Sequence, residues 1–334
     1  MVNLKEKSSI IDYAKSIGIE YIGFTDTLFT KDFIERLKYK RENNLLSGFE
    51  EENENIRVNI ENILNGAKSI ISIGIPYKYK NQDYKNPYVS KYTMGKDYHL
   101  VLLDKLNLIK NYIENNFNEK CEVFCDTGVL CDKEIARKAG IGFQGKNTNI
   151  ITERHGSYIF LGEVVTTLFL EPSLEKHSLC KSCNKCILAC PAKAIDFTGV
   201  NGKKCLSYIS QKKDDLTEEE MDTLGLRIFG CDTCQDVCPY NEGVEKSKVE
   251  EFIPYEHLIN IDFKEIFEMT NKEFKRKYGV HALAWRGKYI IQRNIIVAMG
   301  NSKNKDYIKF LENKLWDPRL QKYVNRSMKK LMDL

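Results

Sequence analysis

Cys180-Lys-Ser-Cys183-Asn-Lys-Cys186-Ile-Leu-Ala-Cys190-Pro191 carries the C-x2-C-x2-C-x3-C-P spacing of an iron–sulfur loop. Three closely spaced thiolates wrap one cubane, and the fourth reaches a neighbouring cluster. A second run, Cys231-x2-Cys234-x3-Cys238-Pro239, repeats the end of that pattern and lacks its first member. Cys205 is the only cysteine between the runs, so counting closes on two four-thiolate sets. Cys180, Cys183, Cys186 and Cys238 form one [4Fe–4S] site; Cys190, Cys205, Cys231 and Cys234 form the other. Zinc hooks and disulfides are the alternatives. Zinc requires neither the third cysteine nor the prolines, and disulfides require an oxidising compartment. Cys121, Cys125 and Cys131 make no further metal hook and read as small buried hydrophobes.

The chain of 334 residues has room for two or three domains, and 42% of it is hydrophobic. No apolar run is long enough to span a bilayer, and the N-terminus lacks the apolar segment of a secretory signal. A cytoplasmic protein, monomeric and without a membrane partner, is the expectation. The net charge of +4 is unevenly spread: residues 261–334 hold 17 Lys+Arg against 8 Asp+Glu. Such a basic tail suits a polyanion, although solvated basic helices are common.

The expected fold class is α+β, in three segments. Residues 1–175 read as a mixed sheet flanked by helices. Ser8 or Ser9 caps a first helix that stops at Gly18, and strands follow at 21–25 and 69–77, the latter apolar at nearly every position. A helix over 98–117 presents Leu102, Leu106, Ile109 and Ile113 on one face. Next come a strand at 121–125, a helix at 129–138 and a hairpin pairing 149–153 with 157–166. Residues 176–250 form a ferredoxin-like module for two [4Fe–4S] clusters. Residues 251–334 are helical, with helices at 287–299, 305–315 and 319–332 that resemble a HEAT-type unit.

Clusters deliver electrons, and the remaining motifs indicate to what. No G-x-G-x-x-G follows a strand, so no nicotinamide or flavin is indicated. The loop Gly140-Ile-Gly-Phe-Gln-Gly145-Lys146-Asn147 lacks the Ser or Thr of a phosphate loop and reads as backbone approaching a large ligand, or as simple turn chemistry. Asp126-Thr-Gly-Val-Leu, the run Lys138–Asn149 and Ser157-Tyr-Ile-Phe-Leu-Gly-Glu163 closely resemble the cobalamin-dependent epoxyqueuosine reductases. So do Gly95-Lys-Asp-Tyr-His99, Cys205-Leu-Ser-Tyr208 and both cysteine runs, and the likeness covers nearly the whole chain. Two departures are Val129, where the family has proline, and Phe143, where it often has tryptophan.

That resemblance implies an enzyme that reduces the epoxide of epoxyqueuosine to queuosine at the wobble position of tRNA, using cobalamin and two [4Fe–4S] clusters. Asp126 then matches the family's proton donor, its pKa expected to be raised by desolvation beside the corrin; the alternative is a cap on the helix near Val129. Candidate cobalamin contacts are Arg57, Tyr98, His99, Gly145, Lys146, Asn147, Ser207 and Tyr208. His99 is not expected on cobalt, because the D-x-H-x-x-G signature is absent. Lys275, Arg276, Lys277, Arg286, Lys288, Arg293 and Lys303 are candidates for holding the anticodon stem-loop by its phosphates. A flavodoxin- or ferredoxin-like protein is the expected external electron donor. A reductive dehalogenase-like enzyme acting on a small molecule would have no use for the basic helices, and a ferredoxin-like carrier would not need the large α/β segment.

Overall fold

The computed structural model describes residues 4–79, 86–312 and 315–333. Two compact units interleave along the chain: residues 1–78, 98–203 and 233–250 make the first, and 79–97, 204–232 and 251–334 the second. Borders at 175 and 250 therefore do not coincide with the compact units. Residues 86–97 and 204–232 join the C-terminal helices because Tyr88–Val89 pairs in parallel with Arg227–Phe229, and that ladder packs on Lys288–Asn301.

The first unit is built on four strands, β1 (Tyr21–Thr25), β2 (Ser69–Pro76), β3 (Cys121–Phe124) and β4 (Ile159–Thr166), in the order β1-β2-β4-β3. Every pairing in this sheet is antiparallel, so the expected mixed sheet is corrected. Strand–helix alternation in a sequence does not set strand direction; the end of the sheet at which each connection re-enters does. All eight residues of β2 are buried, as its unbroken apolar run requires. Helix α1 (Leu4–Ser16) packs on α2 (Tyr98–Phe117), and α2 covers one face of β3 and β4 through Leu102 and Leu106. On the opposite face, α3 (Asp132–Lys138) buries Ile135 and Ala136 against Ile70, Val165 and Ile159.

Several local expectations change. Ser9 lies inside α1 and returns its hydroxyl to Glu6 O, so it is not a cap; Gly18 does end the helix region with φ 78°. No hairpin joins 149–153 to 157–166 beyond an isolated Thr152↔Gly156 bridge. Ile150–Ile151 pairs instead with Phe143–Gln144, and β4 is taken up by the main sheet. In the second unit Lys288–Asn301 is buried continuously from Ile290 to Gly300, and Gln321–Met332 packs along it. The expected helix at 305–315 spans Asp306–Glu312, and positions 313 and 314 lie outside the described residues.

Gly23 on β1 faces the end of α3, where an added Cβ would stand 1.9 Å from the Ala139 carbonyl oxygen. Backbone cannot yield as a flexible side chain does. Gly23→Ala is therefore expected to cost about 2–3 kcal/mol, read as a lower urea midpoint. A wild-type midpoint would show that β1 and α3 are not packed this closely.

Candidate functional site

Four cysteines of the first unit line one cavity: Cys180, Cys183, Cys186 and Cys238. The first three flank and enter the short helix Lys185–Ala189, and Cys238 directly precedes the turn Pro239–Asn241. Burial raises the Cys238 thiol, and its three companions raise it further, so the four groups meet electrostatically as well as in space. Among the described residues no three His, Cys, Asp or Glu groups close on a point as they would around one metal ion. Thiols ringing a cavity suit a cubane, whose sulfur ligands stand on its corners.

A buried polar network brings Cys238 to its partners. Asn241 Oδ1 accepts from Ser157 N at 2.7 Å, and its Nδ2 donates to Ser157 Oγ and Gln235 O at 2.9 and 2.7 Å. Ser157 Oγ in turn donates to Gln235 Oε1 at 2.9 Å. Gly156, at φ 56°, lies so close that a Cβ would fall 2.0 Å from Asn241 Oδ1.

The glycine-rich loop also belongs to this cavity. Lys146 Nζ donates to Lys181 O, Cys183 O and Asn184 Oδ1 at 3.1, 2.9 and 2.8 Å. Buried Asn147 reaches Cys234 O at 3.4 Å, and a Cβ on Gly145 would meet Asn147 Oδ1 at 2.8 Å. The structure thus sets Gly145, Lys146 and Asn147 against the cysteine loop, where the sequence reading expected corrin contacts. Residue type and spacing alone carry no signal for that placement. Of the other cysteines, Cys190 and Cys234 belong to the first unit, and Cys205 and Cys231 to the second. Ser207 and Tyr208 lie in the second unit's helix Leu206–Ile209. Cys121, Cys125 and Cys131 are buried, as expected of packing residues.

A second constellation surrounds Asp126, in the turn between β3 and α3. Asp126 adopts φ 56°, a left-handed conformation that Asp tolerates better than most residues. Tyr98 OH donates to its carboxylate, and His99 Nε2 lies 3.6 Å from Oδ2. Tyr98 stacks on His99 at 4.1 Å and on Phe160 at 4.4 Å, and Phe160 stacks on Tyr77 at 4.4 Å. This aromatic ladder sets the aim of the Tyr98 hydroxyl. Helix α3 starts at Asp132 with Cys131 at its N-cap, so Asp126 does not cap it. Burial raises the Asp126 carboxyl, but the nearby His99 imidazole and the Tyr98 hydrogen bond outweigh it and hold the group below its ordinary value; the upward shift is the expectation for this carboxyl beside a corrin. The Asp126 side chain is 60% exposed, so burial does not overcome these partners.

Two more carboxyls, absent from the sequence reading, lie beneath this turn. Glu163 on β4 is wholly buried, with Oε1 3.4 Å from Ser72 Oγ and no hydrogen-bond partner on Oε2. Burial and then the charge of Asp132 push its pKa well above the usual range. Burial and then the charge of Asp126 push Asp132 up to about 7. Arg57, which opposes that rise, donates Nη2 to Leu130 O at 3.4 Å and keeps Nε buried with no partner. The available signal was a glutamate in the otherwise apolar run Ile159–Thr166.

In the second unit, Lys275 and Arg276 are exposed on the helix Asn271–Tyr278, and Lys303 is exposed beyond Lys288–Asn301. Lys277 pairs with Glu265, Lys288 bonds Met269 O, and Arg286 stacks 3.7 Å over half-exposed Trp285. Arg293 is corrected: it is 0% exposed, and its guanidinium donates to Lys212 O, Asp214 O and Asn294 Oδ1, each at 3.0 Å. It holds chain segments together inside the fold and does not face a polyanion. Among the described residues no helix is long and apolar enough to cross a membrane.

Residues 179–241 match the family model of a 4Fe-4S double cluster binding domain, and residues 57–127 that of epoxyqueuosine reductase QueG. The epoxyqueuosine reductase of Bacillus anthracis is 39% identical over 314 residues, covering 90% of this chain and 82% of that protein. The epoxyqueuosine reductase structure from Streptococcus thermophilus superposes with a TM-score of 0.90 at 34% identity, over 100% of this chain and 91% of that one. An epoxyqueuosine reductase crystallised with a tRNA-Tyr epoxyqueuosine-modified stem loop superposes with a TM-score of 0.87 at 32% identity, over 98% and 99% of the two chains.

Glu163 has a measurable consequence for stability. Its folded pKa exceeds the unfolded value near 4.5, so the unfolded chain releases this proton first as pH rises. Stability is then lost between the unfolded and the folded value. Glu163→Gln removes that loss, so in urea melts the variant should gain on wild type as pH rises above about 5, by at most about 1.4 kcal/mol per pH unit. A pH-independent difference would show that Glu163 is not held protonated.

Proposed function

The chain belongs to the epoxyqueuosine reductase family, and from that membership we propose how its residues divide the work. It is an oxidoreductase with a 4Fe–4S double-cluster domain, and its reaction is the reduction of epoxyqueuosine to queuosine. Opening the epoxide to an alkene and expelling its oxygen as water takes two electrons and two protons. The substrate we assign is the anticodon stem-loop of a tRNA carrying epoxyqueuosine, met in the cytoplasm by a monomer.

Electrons enter from a flavodoxin- or ferredoxin-like donor and pass through two [4Fe–4S] clusters. The cavity ringed by Cys180, Cys183, Cys186 and Cys238 is the observation that carries this reading. Cys190, Cys205, Cys231 and Cys234 are assigned to the other cluster from their spacing. Cobalamin is the further cofactor, and when bound it supplies low-valent, two-electron chemistry at cobalt. The buried, unpartnered Nε of Arg57 suits a corrin amide carbonyl or nucleotide phosphate. Tyr98, His99, Ser207 and Tyr208 complete the candidate corrin and substrate contacts. Lys275, Arg276 and Lys303, the exposed members of the basic set, hold RNA phosphates.

Asp126 delivers the proton. An alkoxide is a poor leaving group, so the epoxide oxygen must be protonated as its bond to carbon breaks. The carboxylate sits below its ordinary pKa because His99 and Tyr98 favour its charged form. Covering it with cofactor and nucleoside removes water and raises the pKa, while Tyr98 OH keeps the carboxylate aimed.

Reconstitution with iron, sulfide and cobalamin, followed by reduction and mass analysis of the wobble nucleoside, tests the reading. Loss of one oxygen from epoxyqueuosine is expected; an unchanged mass with full cofactor loading would refute it. Asp126→Asn should keep its cobalamin and iron yet turn over at least about 100-fold more slowly. Near-normal turnover would remove Asp126 from the chemistry.

A further inference from the structure

We propose that Lys146 tunes the cluster held by Cys180, Cys183, Cys186 and Cys238, making it easier to reduce. This rests on the cluster assignment above. Lys146 lines the same cavity as the four thiols. Its ammonium has three N–H bonds, and three acceptors take them: the carbonyls of Lys181 and Cys183 and the side-chain oxygen of Asn184. All three lie on the turn that carries the cysteines.

Among the described residues no ion pair includes Lys146, and its ammonium also lies over the face of Phe197, 5.8 Å from the ring centroid. A lysine serving only to fasten the turn brings a full positive charge that a glutamine amide would not. That charge matters when the occupant is anionic. A cubane with four thiolates carries two negative charges when oxidised and three after taking one electron from the donor. A fixed cation at the cavity wall stabilises the more negative state, so the electron is accepted at a higher potential. The three hydrogen bonds also hold the ammonium in place, so little reorganisation accompanies reduction.

The position is set by the fold. Phe143–Gln144 and Ile150–Ile151 pair to close the loop, and Gly145 N donates to Asn149 O at 2.9 Å. Phe143 and Ile151 pack against Cys238, so the ladder that shapes the loop is seated on the cavity it serves.

The test is an anaerobic redox titration followed by electron paramagnetic resonance, on the loaded protein and on Lys146→Gln and Lys146→Arg. Glutamine keeps hydrogen-bonding capacity without charge, and arginine keeps the charge. In Lys146→Gln one of the two clusters should become at least tenfold harder to reduce, a shift of about 59 mV to lower potential for one electron. The other cluster should not move, and Lys146→Arg should stay near wild type. Unchanged potentials in a fully loaded Lys146→Gln would overturn the proposal. Loss of four irons from Lys146→Gln but not from Lys146→Arg would support a role for the charge. Loss from both would overturn it in favour of a simple fastening of the turn. Failure of the wild-type protein itself to hold eight irons would instead refute the cluster assignment.

Discussion

The hydrogen bonds joining Asn241, Ser157 and Gln235 carry much of the architecture around the cluster cavity. Three cysteines of the set are neighbours in sequence, and their meeting is a local matter. Cys238 comes from 52 residues beyond Cys186, and entropy opposes its return. A saturated amide solves this: Asn241 uses its oxygen and both amide hydrogens on Ser157, two residues before β4, and on Gln235 O. Tyr158 OH adds a bond to Asp236 at 3.1 Å, and Tyr77 OH one to Gln235 at 3.3 Å. Buried and fully paired, such a network admits one register only. The thiol is thereby delivered by the same strand that carries Glu163 and Phe160, so the cluster site and the Asp126 site share one rigid support.

Three carboxyls near one turn illustrate how environment assigns role. Asp126 is partly exposed, accepts a hydrogen bond from Tyr98 and has the His99 imidazole 3.6 Å away, so it is the anion of the group. Glu163, in the middle of the sheet with only Ser72 nearby, cannot afford a charge. Asp132 lies between these cases, raised by burial and by Asp126 and opposed by Arg57. Charging all three at once would place like charges in a poorly solvated space. Raising the pKa of Asp126 through ligand binding therefore also relieves Asp132, whose shift comes partly from the Asp126 charge.

Much of the fold was readable where a single constraint acts alone. Helix Tyr98–Phe117 follows from its apolar spacing, and β2 from an apolar run that needs cover on both faces. The cysteine runs were readable because cluster chemistry dictates their intervals. Reading failed where several constraints compete. Ile150–Ile151 and Ile159–Thr166 both have strand character, and nothing local tells that each finds a different partner. The start of α3 was placed three residues early, because Val129 and Leu130 are as apolar as helix positions while the turn at Asp126 delays the helix. That delay frees Asp126 from capping, a change of role produced by three residues. Lys146 was unreadable for another reason: two of its three partners are backbone carbonyls, which leave no mark in a sequence.

The basic tail shows why net charge is an incomplete guide to an RNA surface. Arg293 contributes to the charge count yet lies at 0% exposure, using its donors to bind two carbonyls and an amide. Helix Lys288–Asn301 can bury such a residue because it is covered along its whole length, and Asn294 and Asn301 on it likewise bond backbone carbonyls. Polar side chains there replace hydrogen bonds that irregular segments lack. Lys277 is already neutralised by Glu265, and Lys288 is committed to a carbonyl. Of the candidate set, the exposed members are Lys275, Arg276 and Lys303. Charge steers a polyanion at long range, but only exposed charge releases counterions on contact, so a buried cation such as Arg293 adds nothing to salt dependence.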